Sequence, residues 1–168
     1  MLRVFLDANV YFAGSASPTG ASALILQLIL KGRIEATASR LVLREAERNL
    51  RRKRPPKDLK TFHQFLKHAK LHVIPTPAET AWKPYEGIIH PKDVPVLAAA
   101  VASKAAYLIT LDRRHFLTKA VTEKFPELAI LTPGDFLREV VRQAAGAVRR
   151  LAHSGSQFRV RDGPLRRG

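Results

Sequence analysis

The stretch Lys92–Asp112 constrains the fold more than any other part of the sequence. Pro95 suits the first turn of a helix, where its missing N–H leaves no hydrogen bond unmade, so Asp93 is predicted at or near the N-cap. The alanines that follow are strong helix formers, and their small side chains let a helix lie close to a sheet. Tyr107–Ile109 is a short apolar run typical of a strand buried on both faces. This order predicts half of a βαβ unit, with Asp93 and Asp112 at the ends of its elements.

The rest of the chain alternates between strand-like and helix-like segments. Further strands are predicted at Leu2–Leu6, Ile34–Thr37, His72–Ile74 and Leu128–Leu131. Helices are predicted at Ala21–Leu30, after Ser39 as an N-cap, at Leu59–Ala69, and from Thr132 to near Gly146. Because strands and helices alternate, the chain is predicted to form a three-layer α/β/α sandwich with a mainly parallel sheet of four or five strands.

One glycine-containing segment, Gly14–Gly20, is rich in turn residues and is predicted to be a loop. It resembles a phosphate-binding loop only superficially, because no Gly-Lys-Ser/Thr follows it. A nucleotide-binding loop of the Walker A type is therefore excluded.

Length and composition predict one folded domain followed by a basic tail. The chain has 168 residues and 46% hydrophobic content, enough to bury a core, and residues 1–146 are assigned to this domain. Residues 147–168 contain six arginines and one acid, Asp162, together with glycines and serines. Such a composition buries little apolar area, so the tail is predicted to be disordered and to contact RNA.

The absence of cysteine excludes disulfides and thiolate metal sites, and an intracellular, cytoplasmic setting is expected. No basic leader followed by an apolar stretch precedes the first strand, so nothing indicates secretion. No apolar run approaches the roughly 18–20 residues that cross a bilayer, so a soluble protein without a membrane partner is expected.

The charge balance predicts a polyanionic partner, nucleic acid above all. Lysine and arginine number 29 against 14 acids, which gives a net charge of +15. The alternative is a basic surface that serves solubility. Pro55 and Pro56 break the predicted helix, so Arg51–Lys57 is predicted to be a basic loop that binds phosphates, or else a solvated charge run. The candidate RNA-binding residues are Arg51, Arg52, Lys53, Arg54, Lys57, Arg113 and Arg114.

Two aromatic residues, Trp82 and Tyr85, lie in a proline-containing segment and could stack on bases. Aromatic side chains more often pack against the protein itself, and packing is the favoured interpretation.

Four acidic side chains fall where they can meet at one edge of the sheet. Asp7 and Asp112 follow predicted strands, and Asp93 begins a helix. Glu45 lies on the helix after the second strand, where the alternative is an ordinary solvated glutamate. Four adjacent carboxylates would repel and raise one another's pKa values, and a hard cation such as Mg²⁺ or Mn²⁺ removes that penalty. Such an ion can also activate a water for phosphodiester hydrolysis.

Histidine is the rival metal ligand. The six histidines show no zinc-binding spacing, and each is predicted to be a surface or packing residue. His90 and His115 lie near the acids in sequence and are the two candidates for contact with substrate.

These acids lie in stretches that resemble the PIN domain family of metal-dependent ribonucleases, which includes VapC-type toxins of prokaryotic toxin–antitoxin pairs. The order and spacing of the stretches agree with the family over roughly residues 2 to 137. The matching stretches are Phe5–Val10, Ser39–Glu45, Lys92–Ala100 and Leu108–Asp112.

The resemblance implies a parallel sheet flanked by helices and an acidic pocket that binds one or two Mg²⁺ or Mn²⁺ ions. The catalytic and metal-binding residues it implies are Asp7, Glu45, Asp93 and Asp112. Asn9 and Thr110 match the family's polar supporting positions, and Ser39 is a further candidate. Some family members carry another acid shortly after the position of Asp112, where this chain has Arg113, Arg114 and His115.

The function implied is a metal-dependent endoribonuclease, with the hypothesis that it is the toxin of a type II toxin–antitoxin pair. A metal held chiefly by Asp7 and Asp112 would position a water, with Asp93 and Glu45 completing the shell or relaying the proton. One alternative is a non-catalytic RNA-binding or RNA-processing factor with the same fold, and another is a DNA-directed nuclease. RNA is the expected partner, and the sequence leaves a cognate antitoxin and a homodimer open.

Overall fold

A single parallel sheet organises the described part of the chain. The computed structural model describes residues 2–155. Within them the strands are β1 (Arg3–Leu6), β2 (Glu35–Ser39), β3 (Leu71–Ile74), β4 (Tyr107–Ile109) and β5 (Ala129–Leu131). Their order is β3-β2-β1-β4-β5, and every neighbouring pair is parallel. The predicted fold class is confirmed, with five strands.

Helices connect these strands and cover the sheet. In the described residues they are α1 (Ala8–Ala16), α2 (Ala21–Leu30), α3 (Arg40–Lys53), α4 (Pro56–His68), α5 (Val94–Ala102), α6 (Arg113–Phe116), α7 (Lys119–Lys124) and α8 (Pro133–Gly155). Short 3₁₀ turns at Glu79–Ala81, Lys83–Tyr85 and Pro91–Asp93 precede α5. No single helix in the described range has the length and apolar composition of a membrane span, and one bent pair, α1 with α2 at 95°, meets those criteria together.

The order in which successive strands are added to the sheet reverses between β1 and β4, although all strands remain parallel. From β1 the chain moves outward to β2 and β3, and it then returns to β4 and continues to β5 on the other side. Right-handed crossovers therefore place α1–α4 on one face of the sheet and the return through α5 on the other. In such sheets a crevice opens at the carboxyl ends of the two strands that flank the reversal.

The core is apolar where the two central strands meet the helices. Phe5 and Leu6 of β1 and Leu108 and Ile109 of β4 are fully buried. The ring of Tyr11 packs against two phenylalanines of α4, with centroid distances of 6.1 and 5.9 Å. The N-cap predicted at Ser39 forms, since its Oγ accepts a hydrogen bond from Val42 N at 3.3 Å, whereas Asp93 stands at the N-cap of α5 without a side-chain capping bond. The central strands are thus held firmly, and so are the side chains that follow them.

Two predicted loops are shorter in the structure than expected. α1 extends to Ala16, so the predicted loop Gly14–Gly20 begins only at Ser17. Arg51–Lys53 form the last turn of α3, and Pro56 begins α4, so the predicted basic loop is reduced to two residues. The loop prediction at Arg51–Lys57 was wrong because proline is tolerated at the first position of a helix and did not prevent α4 from starting there.

The last helix is longer than the sequence predicted. α8 continues to Gly155, and its predicted end near Gly146 is wrong. Residues 147–152 read Ala-Val-Arg-Arg-Leu-Ala and are mostly good helix formers, which offset the roughly 1 kcal/mol that an interior glycine costs. Residues 147–155 of the predicted tail are therefore helical, and 156–168 lie outside the described residues. The predicted domain boundary after Gly146 falls inside α8 and stays a prediction.

The chain divides into two compact units. The first ends at Leu137 and contains the whole sheet, and the second begins at Arg138. In the second unit Glu139 forms an ion pair with Arg142 at 2.9 Å and accepts a hydrogen bond from Gln143 at 2.8 Å. Pairs spaced three and four residues apart stabilise a helix locally.

The close approach of α1 to α2 predicts that Gly14 does not tolerate a side chain. A Cβ at this position would lie 2.6 Å from Leu26 Cδ1 and 3.1 Å from the carbonyl oxygen of Ser22. Gly14→Ala should lower the free energy of unfolding by about 1–2 kcal/mol, because the overpacking outweighs the gain in helix propensity. Guanidinium unfolding followed by circular dichroism measures this change.

The matched control is Gly146→Ala, at a helical position where the nearest atom to the new Cβ is 3.6 Å away. It should not lower stability and should add a few tenths to about 1 kcal/mol. Equal stability of Gly14→Ala and the wild type would contradict the close packing of α1 on α2.

Candidate active site

A cavity of about 240 Å³ lies beyond the carboxyl ends of β1 and β4. We name this cavity the acidic pocket. All four acids predicted from the sequence line it. Its lining residues are Asp7, Ala8, Asn9, Phe12, Glu45, Asn49, Lys53, Lys92, Asp93, Val96 and Asp112.

Asp7 is the most buried of these acids, with 7% of its surface exposed. It caps α1, and its Oδ1 accepts a hydrogen bond from Ala8 N at 2.7 Å. Its Oδ2 accepts hydrogen bonds from Thr110 Oγ1 at 2.7 Å and from Asn9 Nδ2 at 2.9 Å. The carboxylate is therefore fixed in one orientation.

Asn9 and Thr110 join the ends of the two central strands. Asn9 Nδ2 lies 3.1 Å from Thr110 Oγ1, and Asn9 Oδ1 accepts a hydrogen bond from Leu111 N at 3.0 Å. Thr110 Oγ1 also accepts a hydrogen bond from Asp112 N at 3.0 Å. The two residues thus contact the acids or their backbone directly, which is the arrangement that a supporting role requires.

Burial raises the pKa of Asp7 to about 6. The hydrogen bonds from Thr110 and Ala8 act in the opposite direction, and the negative charges of Glu45 and Asp93 raise the pKa further. An ionised Asp7 is therefore unfavourable without a compensating positive charge, and a bound cation would supply one.

Asp93 and Asp112 converge on the imidazole of His115. Asp112 caps α6, and its Oδ1 accepts a hydrogen bond from His115 N at 3.1 Å. His115 Nδ1 lies 2.9 Å from Asp112 Oδ2 and 3.0 Å from Asp93 Oδ2. A ring nitrogen carries at most one hydrogen, so it can donate to only one of the two carboxylates, and Asp112 Oδ2 is the partner with hydrogen-bond geometry.

The approach of His115 Nδ1 to Asp93 Oδ2, at 3.0 Å, does not form a hydrogen bond. This oxygen is buried and accepts no hydrogen bond from the described residues, and the side chain does not cap α5. Burial raises the pKa of this carboxyl and the charge of Asp112 adds to the rise, while nearby Lys92 opposes it. A buried carboxylate oxygen without a donor is unfavourable, and a cation is the simplest group that would satisfy it.

Glu45 is half-buried on α3 and lines the acidic pocket. It is close enough for its charge to raise the pKa of Asp7. The alternative of a glutamate facing only solvent does not describe this position. Ser39 is fully buried and begins α3 by accepting the Val42 N–H, and it does not line the pocket. Its contribution to the site is to fix the start of the helix that carries Glu45.

Several residues of the site escaped the sequence analysis. His115 was predicted to be a surface or packing residue, with substrate contact as the alternative, and its contacts with both Asp93 and Asp112 were not foreseen. Its position three residues after Asp112 was the available signal, because that spacing brings two side chains together in a helical turn. Asn49 was also not predicted as a site residue, and it follows Glu45 by four residues, on the face of α3 that also carries the predicted Lys53.

Most of the predicted RNA-binding residues lie outside the lining of the acidic pocket. All seven are exposed, and Lys53 is the one among them that lines it. Arg51 pairs with Glu47 at 3.0 Å, and Arg54 pairs with Asp58 at 2.8 Å. RNA contact by these arginines stays a prediction, and Lys53 is the member of the set best placed for it.

The two aromatic candidates make packing contacts. Trp82 Nε1 donates a hydrogen bond to the carbonyl oxygen of Pro77 at 3.0 Å. The ring of Tyr85 stacks on Phe125 with a centroid distance of 5.4 Å. These contacts agree with the packing interpretation.

A larger cavity, of about 820 Å³, is lined by the ends of α2 and α4 and by the beginnings of β1 and β2. Of its described lining residues, Glu35 alone is acidic, and it forms an ion pair with Arg3 at 3.6 Å. The smaller acidic pocket is the candidate active site because four acids converge on it, although the other cavity is larger.

The acidic pocket fits a divalent cation. Asp93, Asp112 and His115 offer ligand atoms that all lie within 4.8 Å of one another. Carboxylate oxygens are the ligands that Mg²⁺ and Mn²⁺ prefer, and Mn²⁺ also accepts imidazole nitrogen. Asp93 Oδ2, which accepts no hydrogen bond from the described residues, would gain a partner by acting as one of these ligands.

Comparison with known proteins supports the interpretation of the fold. A family model described as "PIN domain" matches residues 3–114. The chain is also similar to one in the "Crystal structure of VapBC2 from Rickettsia felis bound to a DNA fragment from their promoter", with a TM-score of 0.55 and 18% identity. That match covers 78% of this chain and 98% of the other, and at this identity it shows the fold alone. None of the curated proteins compared with this chain matches it.

Asp7 predicts a pH dependence of stability in metal-free buffer. Its folded pKa of about 6 lies above its ordinary value of 3.8, so the folded state binds an extra proton between these pH values. Stability therefore falls as pH rises from about 4 to about 6.5, by roughly 2–3 kcal/mol from this group, and stays lower above that range. In urea titrations with EDTA, Asp7→Asn should lack this decline.

The quantity to compare is the difference in unfolding free energy between wild type and variant at each pH, since other groups titrate in both proteins. Glu35→Gln, which alters an exposed acid in an ion pair with Arg3, is the matched control. A difference between Asp7→Asn and wild type that stays constant from pH 4 to pH 7 would contradict the raised pKa.

Proposed function

The chain belongs to the PIN domain family, and on this premise we propose that it is a metal-dependent endoribonuclease acting in the acidic pocket. The observation that carries the proposal is the convergence of Asp7, Glu45, Asp93 and Asp112 on one small cavity in a protein of net charge +15. An acidic cavity alone would repel RNA. A divalent ion held by these acids, with Lys53 and Lys92 beside them, would offset that repulsion and would supply a Lewis acid for a phosphodiester.

The residues of the pocket divide the chemical work between them. When bound, Mg²⁺ or Mn²⁺ supplies a Lewis acid that lowers the pKa of a water and neutralises charge developing on the phosphate. Asp7 and Asp112 would hold the ion chiefly, because both carboxylates are oriented by hydrogen bonds from the protein. Asp93 would add its Oδ2, which accepts no hydrogen bond from the described residues. Glu45, which lines the pocket from α3, would accept the proton from the attacking water.

Two lysines at the pocket would orient the RNA strand. Lys53 and Lys92 are exposed and line the cavity beside the acids. Their ammonium groups can bind the phosphates on either side of the scissile bond, which is a sequence-independent and salt-sensitive contact. The lysines thus counteract the repulsion between the acids and the RNA backbone.

We further propose that the chain acts in the cytoplasm as the toxin of a type II toxin–antitoxin pair, with a cognate antitoxin as its protein partner. The support is the PIN domain match together with a fold shared with a protein crystallised as VapBC2. Expression of the chain alone, and together with the product of any small open reading frame found beside its gene, tests the pairing. Growth arrest by the chain alone and rescue by that neighbour is the expected result, and growth unaffected by expression would contradict it.

Removal of a metal-binding acid should abolish RNA cleavage. Asp7→Asn and Asp112→Asn should each reduce the rate of cleavage of single-stranded RNA by about 10²-fold or more. Each variant replaces a charged carboxylate ligand by a neutral amide, which weakens the binding of the metal ion. EDTA should stop the wild type, and Mn²⁺ or Mg²⁺ should restore it. A gel assay on end-labelled RNA, with a DNA strand of the same sequence beside it, measures both.

Glu35→Gln is the control, because it removes an acid at the other end of the sheet. It should cleave at the wild-type rate. Full activity of Asp7→Asn, or cleavage that persists in EDTA, would exclude the mechanism. RNA binding that persists in EDTA without cleavage of any RNA tested would favour a non-catalytic binding factor.

The lysines should contribute to affinity through phosphates. Lys53→Ala and Lys92→Ala should each weaken RNA binding and lower the slope of log K against log salt by about 0.7, the value for one phosphate of a single strand. Fluorescence anisotropy in an Asp112→Asn background, which prevents cleavage, measures the slope at several salt concentrations. Arg33→Ala, an exposed cation between α2 and β2, should leave it unchanged. Equal slopes for all three variants would contradict the assignment.

A further inference from the structure

His115 occupies a position that the proposed reaction does not explain. Its Nδ1 atom lies between two carboxylates, 3.0 Å from Asp93 Oδ2 and 2.9 Å from Asp112 Oδ2. The side chain is 21% exposed, and its ring stacks on that of His90 with a centroid distance of 4.9 Å. The imidazole is therefore oriented from three sides, with one nitrogen directed at the acids.

The spacing of these atoms is that of ligands around one ion. Adjacent ligands of an octahedral ion with bonds of about 2.1 Å are separated by about 3 Å. Both measured separations match this value, and all three ligand atoms lie within 4.8 Å of one another. The three atoms would therefore serve as ligands of one cation.

The chemical state of the ring allows coordination. A neutral imidazole with its hydrogen on Nε2 presents Nδ1 as a lone-pair donor, which is a standard metal ligand. Asp93 Oδ2, the buried oxygen that accepts no hydrogen bond from any described residue, is 3.0 Å from this nitrogen. One cation would satisfy both atoms at once.

We propose that His115 Nδ1 is a ligand of the divalent ion, together with Asp93 and Asp112, and that this nitrogen shifts the preference of the site from Mg²⁺ toward Mn²⁺. The proposal rests on the proposed function, because it concerns the ion of the acidic pocket. Mg²⁺ is hard and strongly prefers oxygen, whereas imidazole nitrogen suits the first-row transition metals. A neutral imidazole ligand also contributes no negative charge, unlike a carboxylate ligand, and this weakens the binding of a hard cation further.

The neighbouring histidine is the natural comparison. His90 Nδ1 accepts a hydrogen bond from Lys92 N at 3.3 Å and so has a separate function in capping the 3₁₀ turn. Among the described residues, the single cluster with metal-binding spacing contains His115 and not His90. His90 therefore supports the ring of His115 by stacking and is not itself placed to coordinate.

Pulsed EPR of the Mn²⁺-loaded full chain tests the proposal without any activity measurement. The wild type, stripped with EDTA and loaded with one equivalent of Mn²⁺, should show modulation from a directly bound ¹⁴N. Selective labelling with ¹⁵N-histidine should convert that signal to ¹⁵N, which identifies the nitrogen as histidine. The signal should persist in His90→Gln and disappear in His115→Asp.

Calorimetric titration of Mg²⁺ and Mn²⁺ gives the second readout. His115→Asp should lower the ratio of the Mg²⁺ to the Mn²⁺ dissociation constant by about tenfold, because an oxygen replaces the nitrogen. Mn²⁺ that binds to the wild type without a histidine coupling, or a coupling that survives in His115→Asp, would overturn the proposal and leave the proposed nuclease intact. Failure of the wild type to bind either ion would overturn both.

Discussion

The hydrogen bonds that link Asp7, Asn9 and Thr110 are the interaction on which the site depends. They join the carboxyl ends of β1 and β4, two adjacent strands separated by about a hundred residues of chain, through contacts of 2.7 to 3.1 Å. Because these strands flank the reversal of the sheet, the network lies at the crevice where α/β proteins bind ligands. The backbone of Asp112 is attached to the same network through Thr110.

These hydrogen bonds fix the orientation of the Asp7 carboxyl, but burial makes its ionised form unfavourable. Asp7 accepts three hydrogen bonds, yet its pKa is still raised to about 6, which shows that burial outweighs them. Asp93 retains a buried oxygen without a donor from the described residues. A fold that holds acids together at the expense of its own stability is typical of a site built for a bound cation. Lys53 and Lys92, which line the pocket, are the positive charges that the proposed phosphodiester substrate would contact.

The fold and the principal acids could be predicted from the sequence because local signals were strong. Pro95 and the alanines of α5, the apolar run of β4 and the N-cap Ser39 each marked an element that the structure contains. The ends of α3 and α4 were harder to predict, because Pro56 at the first position of α4 has the same sequence signal as a proline that breaks a helix. His115 was missed because its significance arises from Asp93, which is distant in sequence and contacts it only in the folded chain.

Anomalous diffraction from a crystal soaked in Mn²⁺ is the sharpest test of whether the acidic pocket holds a divalent ion. We expect an anomalous peak inside the pocket, with carboxylate oxygens of Asp7, Asp93 or Asp112 at about 2.2 Å from the ion. A well-ordered pocket without a peak at saturating Mn²⁺, or Mn²⁺ bound only at other surfaces, would show that the acids do not hold such an ion.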